Sequence, residues 1–268
     1  MSANETDPGD AFSRRLARLD LSLFESIESQ TSENDRRSLL AIQEAVRERT
    51  SPYAYLEIGS CLGGTIQPFL LDDRCSHIFS IDSRPARQPD ERGPDFDYPH
   101  NSTAHMLTLL GRLSPEGAAK VRCWDADARD VPEDALLPRP SLCFVDGEHT
   151  DRAVQNDAAF CLRVLAGSGV LAFHDASVVY NGLFALLSKL ERSATPFVAY
   201  HLPDSVFVIE LGEFSIHRSP AIAGLLIQNH TGYLASLRAN DHFRRFYNSP
   251  TLRFLRRCKA ALRAGRAG

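Results

Sequence analysis

The stretch YAYLEIGSCLGGT, residues 53–65, decides the fold of this protein. Its first six residues are mostly apolar or aromatic, which predicts a buried β-strand, Tyr53–Ile58. The glycines that follow predict a tight turn, and the residues after Thr65 predict a helix. A strand that runs into a glycine turn and then a helix is typical of α/β proteins that bind a ligand at the carboxyl end of the strand. We therefore expect a ligand at residues 59–64.

Short β-rich segments alternate with helical segments along much of the chain. The predicted strands are Tyr53–Ile58, His77–Asp82, Val121–Trp124, Leu142–Asp146, Gly169–His174, Phe197–His201 and Ser205–Leu211. Because helices separate most of them, the expected fold is α/β, with a doubly wound, mostly parallel seven-stranded sheet of the Rossmann-like type. Only the turn at residues 202–204 separates the last two strands, which is too short for a helical crossover. These two strands should form an antiparallel hairpin at one edge of the sheet.

The segments outside the sheet divide the chain further. Residues 1–10 are expected to be disordered, and residues 11–50 to form two helices, one ending near residue 30 and one starting near residue 34. Residues 51–215 should form the ligand-binding core. Within it, residues 83–101 carry four prolines among charged residues, which predicts an irregular lid loop or a plain solvated insertion. Residues 216–268 are expected to be a basic, helical C-terminal extension.

Size and composition indicate an ordinary globular protein. The chain has 268 residues, 43% of them hydrophobic and 24% charged, with a formal net charge of −4 at pH 7. This balance is typical of a folded protein and indicates no nucleic-acid partner. The polar start of the chain lacks the apolar segment of a signal peptide, so we expect a cytoplasmic location. The six cysteines form no C-x-x-C pair, which favours reduced thiols.

The composition of the glycine turn indicates what kind of ligand it binds. In dinucleotide-binding turns a second glycine lets a pyrophosphate approach the backbone, but Cys61 occupies that position here. The turn also lacks the lysine of a phosphate-binding loop. Glu57, at the entrance of the turn, would repel a phosphate and attract a cation. S-adenosylmethionine carries an ammonium and a sulfonium group, so it fits this turn better than a diphosphate.

An acid at the end of the second predicted strand supports a nucleoside ligand. Asp82 follows the turn by about 20 residues, where a carboxylate accepts hydrogen bonds from ribose hydroxyls. The alternative is that the glycines only allow a helix to pack closely on the strand. The combination of Glu57, Asp82 and the strand order favours cofactor binding.

Several motifs together resemble one protein family. They are residues 55–60 (YLEIGS), 81–82 (ID), 144–149 (FVDGEH), 165–170 (LAGSGV) and 173–175 (FHD). In these motifs the sequence resembles the class I S-adenosylmethionine-dependent methyltransferases, and among them the small-molecule and sugar O-methyltransferases. The resemblance covers most of the chain, from Tyr53 to Leu211.

The resemblance implies which residues hold each part of the cofactor. The methionine end of S-adenosylmethionine would lie against Glu57, Gly59, Ser60, Gly63 and Gly64. Asp82 would bind the ribose, and Asp127 would bind the adenine amino group. Asp127 lies between Asp125 and Asp130, so the alternative for it is a solvated loop acid.

A second group of polar residues follows the fourth and fifth predicted core strands. Asp146 ends one strand, and His174 and Asp175 end the next, so all three should meet at the carboxyl edge beside the glycine turn. Two carboxylates and an imidazole can hold a divalent metal, Mg or Mn, that activates an acceptor hydroxyl. His149 can reach the same place and accept the hydroxyl proton as a general base.

The resemblance supports this second site in part. The related metal-dependent sugar O-methyltransferases have an Asp-x-x-His segment that supplies a ligand and a base, and Asp146 and His149 match it. Their second ligand segment is usually an acidic pair, and His174 replaces its first acid here. This replacement disfavours magnesium and leaves open manganese, another divalent ion or no metal at all. Plainer roles are helix caps for Asp146 and Asp175. The plainer role for His149 is that of an ordinary loop histidine, and for His174 that of a hydrogen-bonded structural residue.

The predicted function is O-methylation of a hydroxyl on a small acceptor, preferably a sugar or another natural product. One alternative is a nicotinamide-dependent oxidoreductase, which Cys61 and the lack of a suitable Tyr-x-x-x-Lys pair disfavour. The other alternative is a catalytically degenerate cofactor-binding protein or a membrane-tethered scaffold.

The two ends of the chain suggest interactions. Residues 242–268 contain no acid and many arginines, with Leu255, Cys258 and Leu262 on one helical face. This pattern predicts contact with the anionic inner face of a membrane or, more simply, a solvated helix. The N-terminal helices could cover the active site or pair two copies in a homo-oligomer.

Overall fold

The computed structural model describes residues 8–193, 195–227, 229–247 and 249–255. The strands are β1 Tyr53–Ile58, β2 Cys75–Ile81, β3 Arg87–Gln88, β4 Phe96–Asp97, β5 Val121–Trp124, β6 Leu142–Val145, β7 Gly169–Phe173, β8 Phe197–His201 and β9 Phe207–Leu211. Within these described ranges, seven strands form one sheet in the order β5-β2-β1-β6-β7-β9-β8. Strands β1, β2, β5, β6 and β7 run parallel. The predicted doubly wound sheet is therefore confirmed.

The edge hairpin is also confirmed. Strand β9 pairs antiparallel with both β7 and β8, so it is the reversed strand and lies second from the edge. The register sets Gly169 opposite Leu211 and Phe173 opposite Phe207, which extends the sheet beyond the parallel strands.

Helices cover both faces of the sheet. They are α1 Pro8–Ala17, α2 Glu33–Arg49, α3 Gln67–Leu71, α4 Thr103–Leu113, α5 Pro115–Ala118, α6 Asp151–Val164, α7 Tyr180–Arg192, α8 Pro220–Leu226 and α9 Asn229–Tyr247. Short 3-10 helices span Leu21–Phe24, Ala128–Asp130, Glu133–Ala135 and Ile216–Arg218. One apolar core joins one sheet face to α2, α3 and α4, and a second core joins the other face to α6 and α7. This two-sided burial explains why β6 and β7 are apolar throughout.

Strand β1 lies inside the sheet, between β2 and β6, and supplies side chains to both cores. Successive side chains alternate between the faces, so Tyr55 packs in one core and Leu56 in the other. The Tyr55 ring stacks on Phe69 of α3 with the ring centroids 3.7 Å apart. Helix α3 is thereby fixed directly after the glycine turn.

The N-terminal region differs from the prediction. Residues 8–10, which were expected to be disordered, begin α1, and residues 1–7 lie outside the described ranges. The first helix ends at Ala17 rather than near residue 30, because Leu19 adopts a positive φ of 51° and interrupts the helix. Helix α2 begins with a capping box: the Ser32 hydroxyl accepts a hydrogen bond from the Asp35 amide, and the Asp35 carboxylate accepts one from the Ser32 amide.

The proline-rich segment 83–101 also differs from the expected irregular loop. Strands β3 and β4 form a two-residue antiparallel ladder within it. A parallel bridge between Asp90 and His149, with a 3.0 Å bond from the Glu91 amide to the His149 carbonyl, attaches the segment to the turn after β6. The prolines therefore restrict this segment without preventing it from packing on the predicted site.

The cysteines, the helices and the C-terminal extension were also the subject of sequence-based expectations. The five cysteines at positions 61, 75, 123, 143 and 161 are free thiols. Among the described residues, no helix combines the length and the apolar character needed to cross a membrane. Of the predicted C-terminal extension, residues 216–227, 229–247 and 249–255 are described, whereas residues 256–268, including Cys258 and Leu262, lie outside the described residues.

Candidate active site

Gly59 brings the ends of two central strands together. Its φ of +91° is in a region that favours glycine, and it follows β1 directly. A Cβ atom at this position would lie 2.1 Å from the Asp146 carbonyl oxygen, well inside contact distance. Asp146 in turn donates its amide to the Ile58 carbonyl at 2.8 Å. The predicted cofactor turn and the predicted metal site are therefore neighbours.

A cleft of about 200 Å³ opens beside Gly59. The lining includes three of the seven predicted cofactor residues, namely Gly59, Asp82 and Asp127. Further lining residues come from the turn after β6 and from α6, and they include Gly147, Glu148 and Asp157. These residues surround one space at the carboxyl edge of the sheet, which is where ligands of open α/β sheets bind.

Asp82 links the glycine turn to the segment after β2. One carboxylate oxygen accepts a hydrogen bond from the Cys61 amide at 2.9 Å, and the other accepts one from the Arg84 amide at 2.8 Å. The buried guanidinium of Arg84 lies 3.4 Å from the same carboxylate. Each carboxylate oxygen can accept two hydrogen bonds, so Asp82 keeps acceptor capacity for a ligand in the cleft.

Asp127 is engaged by its own neighbour. Arg129 donates to its two oxygens from Nε at 2.9 Å and from the terminal nitrogen at 2.8 Å, and the Arg129 amide adds a third bond. The hydrogen bonds with Arg129 hold the pKa of Asp127 below its ordinary value. Asp127 lines the cleft, but much of its hydrogen-bonding capacity is taken, so its contact with adenine stays a prediction.

Glu57 was expected to attract a cation at the entrance of the turn, but its carboxyl group is buried. Its side chain is fully buried and accepts 2.5 Å hydrogen bonds from the hydroxyls of Tyr55 and Thr65. Burial raises the pKa of this carboxyl to about 7 against the lowering effect of those two bonds. Glu57 does not line the cleft, so direct contact with a cofactor stays a prediction.

The other predicted residues of the turn have packing roles. Ser60 is buried and accepts a 2.9 Å hydrogen bond from the Ser80 hydroxyl. A Cβ atom on Gly63 would touch Met106 and one on Gly64 would overlap the Glu28 carbonyl. Close packing, the alternative interpretation, explains why residues 63 and 64 are glycines. The contact of Gly63 and Gly64 with a cofactor stays a prediction.

The second predicted site is a tight cluster of Asp146, His149, His174 and Asp175. Nδ1 of His174 lies 2.9 Å from Oδ1 of Asp146. Nε2 of His149 lies 3.6 Å from the same oxygen and 3.3 Å from Oδ2 of Asp175. Thr150 caps α6 and Val179 holds the N-cap position of α7, so neither acid of the cluster caps the next helix.

Two buried acids that the sequence analysis missed hold the outer nitrogens of the imidazoles. Oδ2 of Asp90 lies 3.0 Å from Nδ1 of His149, and Oδ2 of Asp35 lies 3.2 Å from Nε2 of His174. Asp35 also accepts hydrogen bonds from the amide and hydroxyl of Ser205, both at 2.9 Å. These contacts fix both rings so that their inner nitrogens face Asp146.

The acids determine the charge of the two imidazoles. Burial opposes protonation of His149, but hydrogen bonds to Asp146 and Asp90 and the charge of Asp175 raise its pKa to about 9. The charges of Asp146 and Asp175 likewise outweigh burial and raise the pKa of His174. Burial opposes ionisation of Asp146, but the charge of His174 and the hydrogen bond to His149 lower its pKa. These shifts favour the charged form of both imidazoles near neutral pH.

The donor atoms fit a divalent metal, but magnesium poorly. Ligand atoms of Asp146, His149 and His174 lie within 4.8 Å of one another. Asp175 adds a carboxylate oxygen 3.8 Å from Nδ1 of His174, although Arg92 also lies 3.5 Å from that oxygen. Imidazole nitrogens suit zinc, iron or nickel, whereas magnesium prefers oxygen ligands only.

Comparisons with known proteins agree with this fold. Residues 56–176 match a family model described as a methyltransferase domain. The apo structure of CalS11, a TDP-rhamnose 3'-O-methyltransferase of calicheamicin biosynthesis, is similar with a TM-score of 0.51 and 14% sequence identity, over 79% of this chain and 97% of that one. Cofactor-bound Rv0187 from MTB has a TM-score of 0.50 and 13% identity, over 78% of this chain and 98% of that one. No curated protein sequence matches this chain.

Proposed function

Because residues 56–176 match a family model of a methyltransferase domain and the sheet has the expected doubly wound order, we propose that this chain uses S-adenosylmethionine to methylate a hydroxyl on a small acceptor. The observation that supports this proposal is the position of the Asp146, His149, His174 and Asp175 cluster directly against Gly59. A cofactor in the cleft would have its sulfonium beside a group of acids and imidazoles able to activate an oxygen. We prefer a sugar or another natural product as acceptor, as the sequence resemblance implies.

The cleft residues would position the cofactor. Gly59 would lie against the cofactor at the turn, Asp82 would accept hydrogen bonds from the ribose hydroxyls, and Asp127 would lie near the adenine end. The acceptor oxygen would attack the methyl carbon in line with the carbon–sulfur bond, which breaks to leave S-adenosylhomocysteine. Holding the two reactants in this geometry would supply much of the rate enhancement.

His149 is proposed to accept the hydroxyl proton at Nε2. Asp90 holds its Nδ1, which leaves Nε2 facing Asp146 and Asp175 in the cluster. A general base must be unprotonated, whereas the acids around this ring favour its protonated form. A compensating positive charge at the cluster would therefore help His149 to act as a base.

A divalent metal is proposed to assist the reaction. Asp146, His174 and Asp175 would hold it and leave His149 as the base. When bound, the metal would supply positive charge that lowers the pKa of both the acceptor hydroxyl and His149.

Transfer of a labelled methyl group from S-adenosylmethionine to a panel of sugar and natural-product hydroxyls tests the proposal. We expect turnover with at least one acceptor, and a loss of about 100-fold or more in His149→Ala with cofactor binding retained. Activity that fully survives a chelator would remove the metal from the proposal. Cofactor binding without turnover on any acceptor would favour the degenerate or scaffold alternative.

A further inference from the structure

Asp157 is an acid of α6 that faces the cofactor cleft. It lies on the same lining as Gly147 and Asp127, and it is only 9% exposed. A Cβ atom added to Gly147 would lie 3.3 Å from Oδ2 of Asp157, so Gly147 has no side chain that covers this oxygen. The carboxyl group is therefore nearly buried in the protein but open toward the cleft.

The carboxyl group of Asp157 has no hydrogen-bond partner among the residues that the structure describes. No side chain or amide in those ranges donates to it, and no cation pairs with it within 4 Å. Buried polar groups in folded proteins nearly always have a partner, because an unpaired one costs free energy. An unpaired acid at the wall of a ligand cleft therefore points to a partner on the ligand.

Asp127, the residue predicted to bind adenine, differs from Asp157 because its carboxylate already has hydrogen-bond partners. Arg129 donates to both of its carboxylate oxygens, and the residue caps the short helix Ala128–Asp130. These bonds satisfy Asp127 without any ligand. Of the two acids, Asp157 is the one whose hydrogen-bonding capacity is unused.

The surroundings of Asp157 also determine what it can donate and accept. Burial, together with the charges of Asp127 and Glu148, raises its pKa to about 7 against a lowering effect of Arg129. A carboxyl group that holds its proton offers a hydroxyl donor and a carbonyl acceptor side by side. Adenine offers the matching pair, an amino donor next to a ring-nitrogen acceptor.

We propose that Asp157, rather than Asp127, binds the exocyclic amino group of the cofactor's adenine. This inference rests on the proposed function, because it assumes that S-adenosylmethionine occupies the cleft. It refines that function by assigning base specificity to a residue of α6 instead of the loop after β5.

Isothermal titration with two probes tests the assignment. The probes are S-adenosylhomocysteine and the same compound with purine in place of adenine, which lacks the amino group. We expect the wild-type protein to prefer S-adenosylhomocysteine by about tenfold or more, the cost of one lost buried hydrogen bond. Asp157→Ala should bind both probes within about threefold of each other. Asp157→Asn keeps a donor and an acceptor and should retain the preference.

Further variants and outcomes distinguish an error in the assignment of Asp157 from an error in the proposed function. Asp127→Ala should keep the preference for S-adenosylhomocysteine, and loss of the preference in this variant would overturn the assignment. A preference that survives in Asp157→Ala, or a wild-type protein that binds both probes equally, would also overturn it and leave the proposed function intact. A wild-type protein that binds neither probe would overturn the proposed function as well. Thermal unfolding of each variant shows whether a loss of binding is a loss of folding.

Discussion

At the scale of single residues, the cluster is held by two carboxylates outside it. Asp35 and Asp90 are buried and each holds the outer nitrogen of one imidazole, while the inner nitrogens face Asp146. Histidines that bind metals are commonly oriented by such an acid on the second ring nitrogen. The arrangement therefore suits metal binding through His174 and leaves His149 to act as ligand or base.

Metal titration of the chelator-treated protein separates these roles. We expect zinc or cobalt to bind more tightly than magnesium, since His174 contributes a nitrogen donor. His174→Ala should weaken binding about 10- to 100-fold or more. His149→Ala should keep the metal and lose methyl transfer. Equal loss of metal in both variants would make His149 a ligand and contradict its role as base, and equal affinity for magnesium would contradict the nitrogen donor.

Asp157→Asn should stabilise the folded protein in a pH-dependent way. The pKa of Asp157 is raised from 3.8 to about 7 in the folded protein, so the folded state holds its proton more tightly than the unfolded state. Wild-type stability should therefore fall as the pH rises from about 4 to about 7, and Asn removes this loss. Relative to wild type, the variant should gain up to about 4 kcal/mol at pH 8 and little at pH 4. Urea unfolding at both pH values measures this, and a pH-independent difference would contradict it.

At the scale of elements, the segment 83–101 is a structural part of the site. Its Asp90 contacts His149, and the Glu91 amide pairs with the His149 backbone. We expect Asp90→Asn to lower methyl transfer about 10- to 100-fold with unchanged affinity for S-adenosylhomocysteine, because His149 loses the acid that orients it. Asp95→Asn, a change at a more exposed acid of the same segment, is the matched control. Full activity in Asp90→Asn would show that the segment only covers the site.

The close approach of β1 and β6 depends on the glycine at position 59. Gly59→Ala should destabilise the protein by about 3 kcal/mol or more, because the new Cβ atom would overlap the Asp146 carbonyl and φ is positive. Gly111 in α4 has nothing within 4 Å of an added Cβ, so Gly111→Ala should stabilise the protein by about 1 kcal/mol. Thermal unfolding compares the two variants. A Gly59→Ala protein as stable as wild type would contradict the close approach of β1 and β6.

At the scale of the whole molecule, much of the fold could be predicted from periodicity. The bounds of β1, β5 and β8 match their predicted strands, because each is a short segment rich in aromatic and other apolar residues. The placement of Asp146 and His174 at strand ends also followed from the parallel topology.

The contacts that complete the site could not be predicted in this way. Asp35 reaches His174 across 139 residues of sequence and Asp90 reaches His149 across 59, and neither spacing has a sequence signature. The open side of Asp157 depends on Gly147, a residue of another element. Such contacts depend on how helices pack on the sheet, which strand patterns do not specify.

A crystal structure with S-adenosylhomocysteine would show whether the cleft and the cluster form one active site. We predict that the nucleoside fills the cleft beside Asp82 and that the sulfur faces Asp146 and His149, about 5 Å from where the acceptor oxygen binds. A nucleoside bound elsewhere, or a sulfur turned away from the cluster, would contradict this account.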